Sequence, residues 1–301
     1  MARRRLLTGD ERRRLFDPPV QETAIIGHYT LSAEDVELVG RRYGPANRLG
    51  LAAQIALMRH PGFGLQPEIG LPDVILQYLA AQLFVDPSSF SAYGQRAQTR
   101  TDHADLVARY LGIRPFRRGD LALALNLAAQ DAEYTDRGEP IVRALMVGLK
   151  GERFILPPGD TLERAGLAGR ARARKAAAAA IVEGLSSAEL TRLDELVINN
   201  PDFGMTPLAW LRNFEEAPTA ANINGLLERL RYVRGIGIHP VVGGAIPEFR
   251  FAQFVREGGV APAFLLSDYS VNRRRATLTA AVIDLEARLA DAAIQMFDRL
   301  I

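Results

Sequence analysis

The chain has 301 residues, 48% of them hydrophobic and 24% charged, with a formal net charge of +2 and no cysteine. The length supports one large domain or two smaller ones with filled cores, and the lack of cysteine excludes disulfides, thiolate metal sites and thiol catalysis. With no signal-peptide core and no run approaching eighteen uncharged apolar residues, the sequence predicts a cytoplasmic protein without a membrane span.

The first half has helical periodicity and helix-type boundaries almost throughout. Leu71-Pro72 opens one helix, because proline in a first turn loses no hydrogen bond. Thr101 or Asp102 is predicted to cap another, which ends at Gly112. Together these signals predict helices over 10–16, 33–43, 46–59, from 71, from 86, up to 112, over 120–133 and from 139.

The second and third of these helices form a pair. Ser32 is a suitable N-cap, and Asp35 three residues later completes a capping box. Gly44-Pro45 breaks the chain between the helices, and the sequence His60-Pro61-Gly62 ends the second one. Two short helices joined by about four residues are typical of a helix-turn-helix, and equally of an αα-hairpin that binds no nucleic acid.

The chain changes character at the extended, proline-rich segment 153–159, which is predicted to join two domains. A long helix follows from Thr161 to near Gly184, and a short extended piece is expected within 235–244. Further helices are predicted over 186–197, from 206 (with Trp210), over 219–234, 247–257 and 271–301. The predicted fold class is therefore all-α, with two small multi-helix domains followed by a long C-terminal helix.

The residues that enzymes use are not arranged as a site. The four histidines are scattered, and no HExxH, P-loop or nucleophile-elbow motif occurs. Gly235-Ile-Gly-Ile-His lacks the third glycine and the strand–turn–helix setting of a phosphate-binding loop. Most acidic residues stand at helix starts or beside arginine, where solvated ion pairs explain them. The sequence therefore favours a binding protein over an enzyme.

Clustered arginine, short helices and polar side chains that can reach base edges indicate nucleic-acid binding. Only Lys150 and Lys175 are lysines, and arginine binds phosphate with a planar fork. A high-GC genome would also favour arginine. The candidate DNA-binding residues are Arg3, Arg4, Arg5, Arg41, Arg42, Asn47, Arg48, Arg59, Arg96, Gln98, Thr99, Arg100, His103, Arg114, Arg117, Arg118, Arg164, Arg170, Arg172, Arg174 and Lys175.

Each cluster also has a structural interpretation. If the N-terminal arginines and Arg12–Arg14 do not bind DNA, they form an exposed, charged end that keeps the chain soluble. Arg48 is a candidate ion-pair partner of Glu34, Asp35 or Glu37. Gln98, Thr99 and Arg100 stand at a predicted helix start and suit a DNA groove. They are equally explained as ordinary polar residues facing solvent. The charges of 170–175 spread over more than one helix face, and 273–275 is a further basic cluster. The aromatic side chains Trp210, Phe249, Phe251 and Phe254 are predicted to lie in the core.

Several short motifs follow one another along the chain. RLGLAAQIALMRHPG (48–62) is followed by Gln98-Thr-Arg100 with His103, and then by YLGIRPF (110–116). Ile155-Leu-Pro-Pro-Gly with Leu162-Glu-Arg164, then Thr206-Pro-Leu208 with Leu211, and finally Phe297-Asp-Arg-Leu300 complete the series. Across essentially the whole chain this pattern resembles the amino-terminal region of Tn3-family replicative transposases.

The resemblance implies DNA recognition without catalysis. It implies helical DNA-binding domains at 1–152 and 153–268, with 269–301 leading toward a dimerisation and catalytic region. The implied ligand is the double-stranded DNA of a transposon's terminal inverted repeats. The catalytic acidic residues of the family lie in an RNase H-like domain with no counterpart here, so no catalytic residue, metal ligand or cofactor is expected, and Mg²⁺ would belong to that domain alone.

A helical protein–protein or regulatory module is the alternative. Its partner surface would be the last helix, whose apolar stripe has nothing beyond it in this chain to bury it. Its partner would be a second copy or a full-length transposase. The members of that stripe are Leu278, Val282, Leu285, Leu289, Ala293 and Phe297.

Overall fold

The computed structural model describes residues 5–65, 71–95, 97–215 and 217–300. These residues are mostly α-helical, with two short β-strands and a long C-terminal helix, which confirms the predicted fold class. The chain divides into two compact units, one of residues 1–131 and 136–169 and the other of residues 132–135 and 170–301. None of the helices in the described ranges combines the length and apolar content needed to cross a bilayer.

The helices of the first unit agree closely with those predicted, except that Glu22–Tyr29 was not expected. This helix has no side-chain hydrogen bond at its N-cap, so its sequence carries no start signal. The elements are α1 (Gly9–Phe16), α2 (Glu22–Tyr29), α3 (Ala33–Gly40), α4 (Pro45–Arg59), α5 (Asp73–Leu83), α6 (Ala97–Leu111), β1 (Arg114–Pro115), α7 (Leu121–Asp131), α8 (Gly138–Gly151), β2 (Phe154–Ile155) and α9 (Gly159–Glu183), with 3-10 turns at Pro87–Ala92 and Arg118–Asp120.

Helix α4 is the centre of the first unit. Every residue from Leu49 to Met58 is buried, because both sides of the helix are covered. One side contacts α2 and α5 through Leu49 and Ala53, and the other contacts α3 and α6 through Leu51 and Ile55. The predicted packing role of 47–62 is confirmed.

The α3–α4 pair has the predicted caps and turn. The Ser32 side chain accepts a hydrogen bond from the backbone N–H of Asp35, and the Asp35 carboxylate accepts one from the N–H of Ser32 at 2.8 Å. Residues 41–44 form the turn between the two helices, and Gly44 has φ +81°, a conformation that favours glycine.

The start of α6 differs from the prediction. Thr101 and Asp102 lie inside this helix, which begins at Ala97. The Thr101 hydroxyl donates to the carbonyl of Ala97 at 3.2 Å, a bond made within a helix and not at its start. The predicted cap is therefore wrong by one turn.

A two-residue parallel pair joins the chain on either side of α7 and α8. Arg114 pairs with Phe154 and Pro115 with Ile155. The extended character predicted for 153–159 is thereby confirmed at β2, whereas the pairing with β1 has no signal in so short a segment.

The second unit is built on α10 (Ser187–Glu195), α11 (Pro207–Arg212), α12 (Ala220–Ile236), α13 (Glu248–Val260), α14 (Ala263–Ser267) and α15 (Val271–Leu300). The piece expected to be extended contains a 3-10 turn at Pro240–Ala245 instead. The division between the units falls inside α9, at residues 169–170, and not at the proline-rich segment. Whether the units are separate DNA-binding domains stays a prediction.

The apolar stripe of α15 does not lie open, and the alternative prediction that it forms an unburied partner surface is wrong. Leu278, Val282, Leu285 and Leu289 are at most 3% exposed, because α10, α11 and α12 supply the other side of their core. Of the predicted stripe, Phe297 alone is exposed. The stripe is thus the interior of the second unit.

Candidate nucleic-acid interface

The α3–α4 turn gathers the predicted residues Arg41, Arg42, Asn47 and Arg48. The Arg48 side chain donates through Nε to the carbonyl of Arg42 at 3.0 Å, and the Asn47 amide donates to the carbonyl of Tyr43 at 3.0 Å. These bonds close the turn on both of its sides. The arginine-rich segment is therefore held in one conformation by its own side chains.

The first turn of α6 presents Gln98, Thr99 and Arg100. Gln98 is exposed and donates to Asp102 at 2.7 Å. Arg100 is half-buried, and its Nη1 donates to the carbonyl of Gly94 at the preceding bend. His103 is only 6% exposed. Within the free chain, Gln98 is therefore exposed, Thr99 and Arg100 are half-buried, and His103 is buried.

A buried network fixes the start of α6 against α4. The Gln54 amide donates to the hydroxyl of Tyr93 at 2.8 Å and to the carbonyl of Arg100 at 3.0 Å. The Tyr93 hydroxyl also bonds His103 Nδ1 at 3.0 Å, and the two rings stack at 5.6 Å. A methyl group at Gly50 would overlap the Tyr93 ring, so this position requires glycine.

The same network brings the two predicted clusters together. Burial lowers the pKa of His103, and the positive charge of Arg42 lowers it further. The guanidinium of the α3–α4 turn thus lies close enough to α6 to influence its buried histidine. Helices α3, α4 and α6 also share one apolar core. The structure therefore places the arginine-rich segment 41–48 and the polar segment 98–103 on adjoining elements.

The charge of this surface comes from arginines with no acidic partner among the described residues. Arg42 and Arg48 make no ion pair there, and Nε of Arg42 is buried without a hydrogen bond. Arg41 forms an exposed pair with Glu37, which contributes little to stability. Asp102 and Asp105 are exposed on α6, and their negative charges would repel a polyanion there. The turn is therefore the more cationic part.

Arg59 is exposed in part, and its guanidinium is paired with a buried carboxylate. Its guanidinium bonds both oxygens of Asp35, with 2.6 Å between Nη2 and Oδ1, and Tyr110 donates to the same carboxylate at 2.8 Å. Burial raises the pKa of Asp35, but the bonds from Arg59, Ser32 and Tyr110 outweigh it and leave this pKa below its usual value. The Arg59 guanidinium therefore has an acidic partner within the fold, whereas Arg42 and Arg48 have none among the described residues.

The predicted N-terminal arm cannot be placed as a whole. Arg3 and Arg4, and also Arg96 farther along, lie outside the described residues, while Arg5 is described and exposed. The neighbouring α1 arginines are engaged: Arg12 with Asp160 and Glu163, Arg13 with Asp10, and Arg14 with Glu139. Arg12 and Arg14 therefore connect α1 to α9 and α8, while Arg13 is paired within α1.

The segment after α6 is exposed, and some of its arginines already make contacts within the fold. Arg114 lies over the Phe154 ring at 3.7 Å and 3.6 Å from a carboxylate oxygen of Asp120. The backbone N–H of Arg117 donates to Asp120 at 2.7 Å, and both Arg117 and Arg118 are exposed. Arg117 and Arg118 are therefore accessible to an anion, whereas Arg114 has two structural contacts.

The basic residues of α9 are spread as predicted. Arg164 bonds its own helix, through Nε to the carbonyl of Asp160 at 3.2 Å and through Nη2 to Thr161 at 3.1 Å. Arg170 is half-buried, and Arg172, Arg174 and Lys175 are exposed, with the buried Ala173 between them. Because they follow the helix around its axis, they do not form one stripe.

The second unit holds arginines that the sequence did not single out. Arg212 donates to the carbonyls of Gly258 and Ala261, and burial lowers its pKa. Arg229 donates to the carbonyls of Trp210, Asn213 and Gly225 at 2.9–3.0 Å and stacks over the Trp210 ring at 4.6 Å. No pattern along the chain reveals such pairing, because the acceptors are backbone groups.

The basic cluster 273–275 has acidic partners throughout. Arg273 pairs with Glu257, and Arg274 and Arg275 share the carboxylate of Asp194. Within the described ranges, no three histidine or acidic side chains come together as ligands for a metal ion.

Comparison with known proteins places these features in a family. Residues 6–168 match the family model described as "Domain of unknown function (DUF4158)". Over its whole length the chain is 32% identical to the transposase for transposon Tn501 of Pseudomonas aeruginosa, 33% to that for Tn3926 and 32% to that for Tn21, both of Escherichia coli. It spans about 30% of the length of each. The resemblance to the Tn3 family is confirmed.

Proposed function

The chain belongs to the DUF4158 family, and on this premise we propose that it binds the terminal inverted-repeat DNA of a transposon as part of a Tn3-family transposase. Similarity along the entire chain to several transposases supports this assignment. We further propose that the chain supplies recognition in the cytoplasm, and that cleavage and joining belong to the part of the relatives that it does not span.

The observation that carries the proposal is the packing of α6 against the α3–α4 pair, which brings two of the predicted segments onto adjoining helices. The α3–α4 turn presents Arg42 and Arg48 without acidic partners among the described residues, and the start of α6 lies beside it. Guanidinium groups that are not neutralised bind phosphate oxygens and release counterions from DNA. Polar side chains on a neighbouring helix can then reach base edges.

The roles divide by chemistry. Arg42 and Arg48 contact phosphates and set the position of the unit on the duplex. Gln98 and Thr99 read base edges from the first turn of α6, since glutamine can donate and accept at adenine. The basic residues of α9 supply a second contact, and two linked contacts raise the affinity through effective concentration.

The test is fluorescence anisotropy of a labelled duplex carrying the terminal inverted repeat of Tn501, compared with a scrambled duplex of equal composition. Each is titrated with the chain over a series of salt concentrations, with and without Mg²⁺. We expect tighter binding to the repeat, a steep salt dependence and no need for Mg²⁺. Equal affinity for both duplexes, or a flat salt dependence, would overturn the proposal.

Variants locate the contact surface. Arg48→Ala should weaken binding to both duplexes and lower the slope of log K against log salt by about 0.9, as loss of one phosphate contact predicts. Gln98→Ala should lower the preference for the repeat without changing the slope. Arg13→Ala is the matched control, because Arg13 is an exposed arginine of the same unit that is paired with Asp10.

A further inference from the structure

Tyr43 is an aromatic side chain that the fold does not use. It lies in the α3–α4 turn and is 95% exposed. Its ring makes no aromatic or cation–π contact and its hydroxyl no hydrogen bond within the described part of the chain. Tyrosine in folded proteins usually packs its ring against other side chains. The ring and hydroxyl of Tyr43 are therefore both available to a partner.

The turn that carries Tyr43 is rigid. On one side the Asn47 amide donates to the carbonyl of Tyr43, and on the other Arg48 donates to the carbonyl of Arg42. The backbone N–H of Arg48 also donates to the carbonyl of Gly44 at 3.2 Å. The backbone that carries Tyr43 is thus held by hydrogen bonds, so a ligand has to order the side chain alone.

The electrostatic setting of Tyr43 is cationic. Arg41 and Arg42 precede it and Arg48 follows one turn into α4, whereas the nearest acidic side chain along the turn, Glu37, is paired with Arg41. Tyrosine hydroxyls are among the side-chain donors that contact DNA phosphates. The ring offers a flat apolar face that suits the sugar beside a phosphate.

Other exposed aromatic residues lack this setting. Phe84 is 97% exposed but has no hydroxyl, and the nearest charge in sequence is Asp86. Tyr134 is 67% exposed and stands between Glu133 and Asp136, which repel a polyanion. Tyr43 therefore differs from them in both its donor group and its surroundings.

We propose that Tyr43 contacts the DNA backbone, with its ring against a deoxyribose and its hydroxyl donating a hydrogen bond to a phosphate oxygen. The contact rests on the DNA-binding function proposed above and adds an uncharged residue to the arginines of the turn. It fixes the α3–α4 pair on the duplex without reading sequence, because sugar and phosphate are the same at every base pair.

The experiment compares Tyr43→Ala, Tyr43→Phe and Arg48→Ala in the complete chain, using the Tn501 repeat and the scrambled duplex over the same salt series. Tyr43→Ala should weaken binding to both duplexes about tenfold, and Tyr43→Phe about threefold, because the latter loses the hydrogen bond alone. Neither change removes a charge, so the salt slope should equal that of the unaltered chain. Arg48→Ala should lower that slope.

Tyr134→Ala is the matched control and should leave the affinity unchanged. Thermal unfolding of the Tyr43 variants should match that of the unaltered chain, because Tyr43 has no side-chain bond to lose.

Unchanged affinity of Tyr43→Ala, with normal binding by the unaltered chain, would overturn this contact and leave the proposed function intact. A loss confined to the repeat would also overturn it, since it would make Tyr43 a base-reading residue. Failure of the unaltered chain to bind either duplex would overturn both proposals.

Discussion

Arg59 binds the carboxylate of Asp35 with both prongs of its guanidinium, and Asp35 is completely buried while the Arg59 side chain is 34% exposed. The carboxylate also caps α3 and accepts the Tyr110 hydroxyl. One side chain therefore joins the start of α3, the end of α4 and the end of α6.

This asymmetric exposure predicts unequal effects of the two halves of the pair. Arg59→Ala leaves a buried carboxylate without its counter-charge and should lower the free energy of unfolding by about 3 kcal/mol. Asp35→Asn should cost less, about 1–2 kcal/mol, because the partly exposed Arg59 regains water. Urea unfolding at neutral pH measures both, and an equal loss in the two variants would contradict the interpretation.

The same pair predicts a loss of stability in acid. Because the pKa of Asp35 in the folded chain lies below its usual value of 3.8, the ionised form stabilises the fold above that pH. The contribution should disappear as pH falls from about 3.8 through the lower folded value. Urea midpoints measured from pH 5 to pH 2 should fall less steeply in Asp35→Asn than in the unaltered chain.

His60 predicts a second pH dependence with its own window. Its ring stacks on that of His28 at 3.7 Å, and burial, His28 and Lys150 lower its pKa from 6.5 to about 4. Protonation therefore favours the unfolded state, and stability should decline as pH falls from about 6.5 to about 4. NMR titration of the imidazole C–H signals gives the pKa, and His60→Gln should flatten the decline. A His60 signal that titrates near 6.5 would contradict this prediction.

Gly50 and Gly27 predict opposite outcomes of the same substitution. At Gly50 a methyl group would overlap the Tyr93 ring, so Gly50→Ala should destabilise the chain by about 1–3 kcal/mol despite the higher helix propensity of alanine. At Gly27, in α2, nothing lies near the new methyl, so Gly27→Ala should stabilise by up to about 1 kcal/mol. Thermal unfolding of both variants checks the pair, and stabilisation by Gly50→Ala would disprove the close contact.

The burial of α15 predicts that its apolar residues stabilise the second unit, whereas the alternative hypothesis made them a partner interface. Leu285→Ala should lower the free energy of unfolding by about 2–5 kcal/mol, because Leu285 is 3% exposed within the second unit. Phe297→Ala should change it by less than about 0.5 kcal/mol, since Phe297 is 54% exposed. Sedimentation of both variants distinguishes loss of folding from loss of self-association. If the unaltered chain were a dimer and Leu285→Ala a folded monomer, the result would support the interface hypothesis instead.

Local signals carried the prediction of the helices, whereas partners distant in sequence remained hidden. Ser32 and Asp35 could be predicted to form a capping box, because the two residues of this motif always stand three positions apart. The bond from Asp35 to Arg59 spans 24 residues and that from Tyr110 spans 75, and no periodicity relates such positions. The same limit applies to His103, whose polar character suggested a surface although Tyr93 and Gln54 bury it.

The sequence predicted the two segments of the candidate site, but it did not predict that they lie next to each other. Arginine clustering identified the α3–α4 turn and the start of α6 separately. Their proximity depends on Gln54, a polar residue inside an apolar helix, which has no distinctive neighbours in sequence. The exposure of Tyr43 depends on how the turn closes, and that follows from side-chain bonds that composition does not encode.

The carbonyl-bound arginines of the second unit have a consequence for its response to acid. Arg212 and Arg229 are held by backbone carbonyl oxygens, which do not ionise. The guanidinium group stays protonated throughout the acid range. Acid that protonates Asp35 and breaks its pair with Arg59 therefore leaves these bonds of the second unit in place.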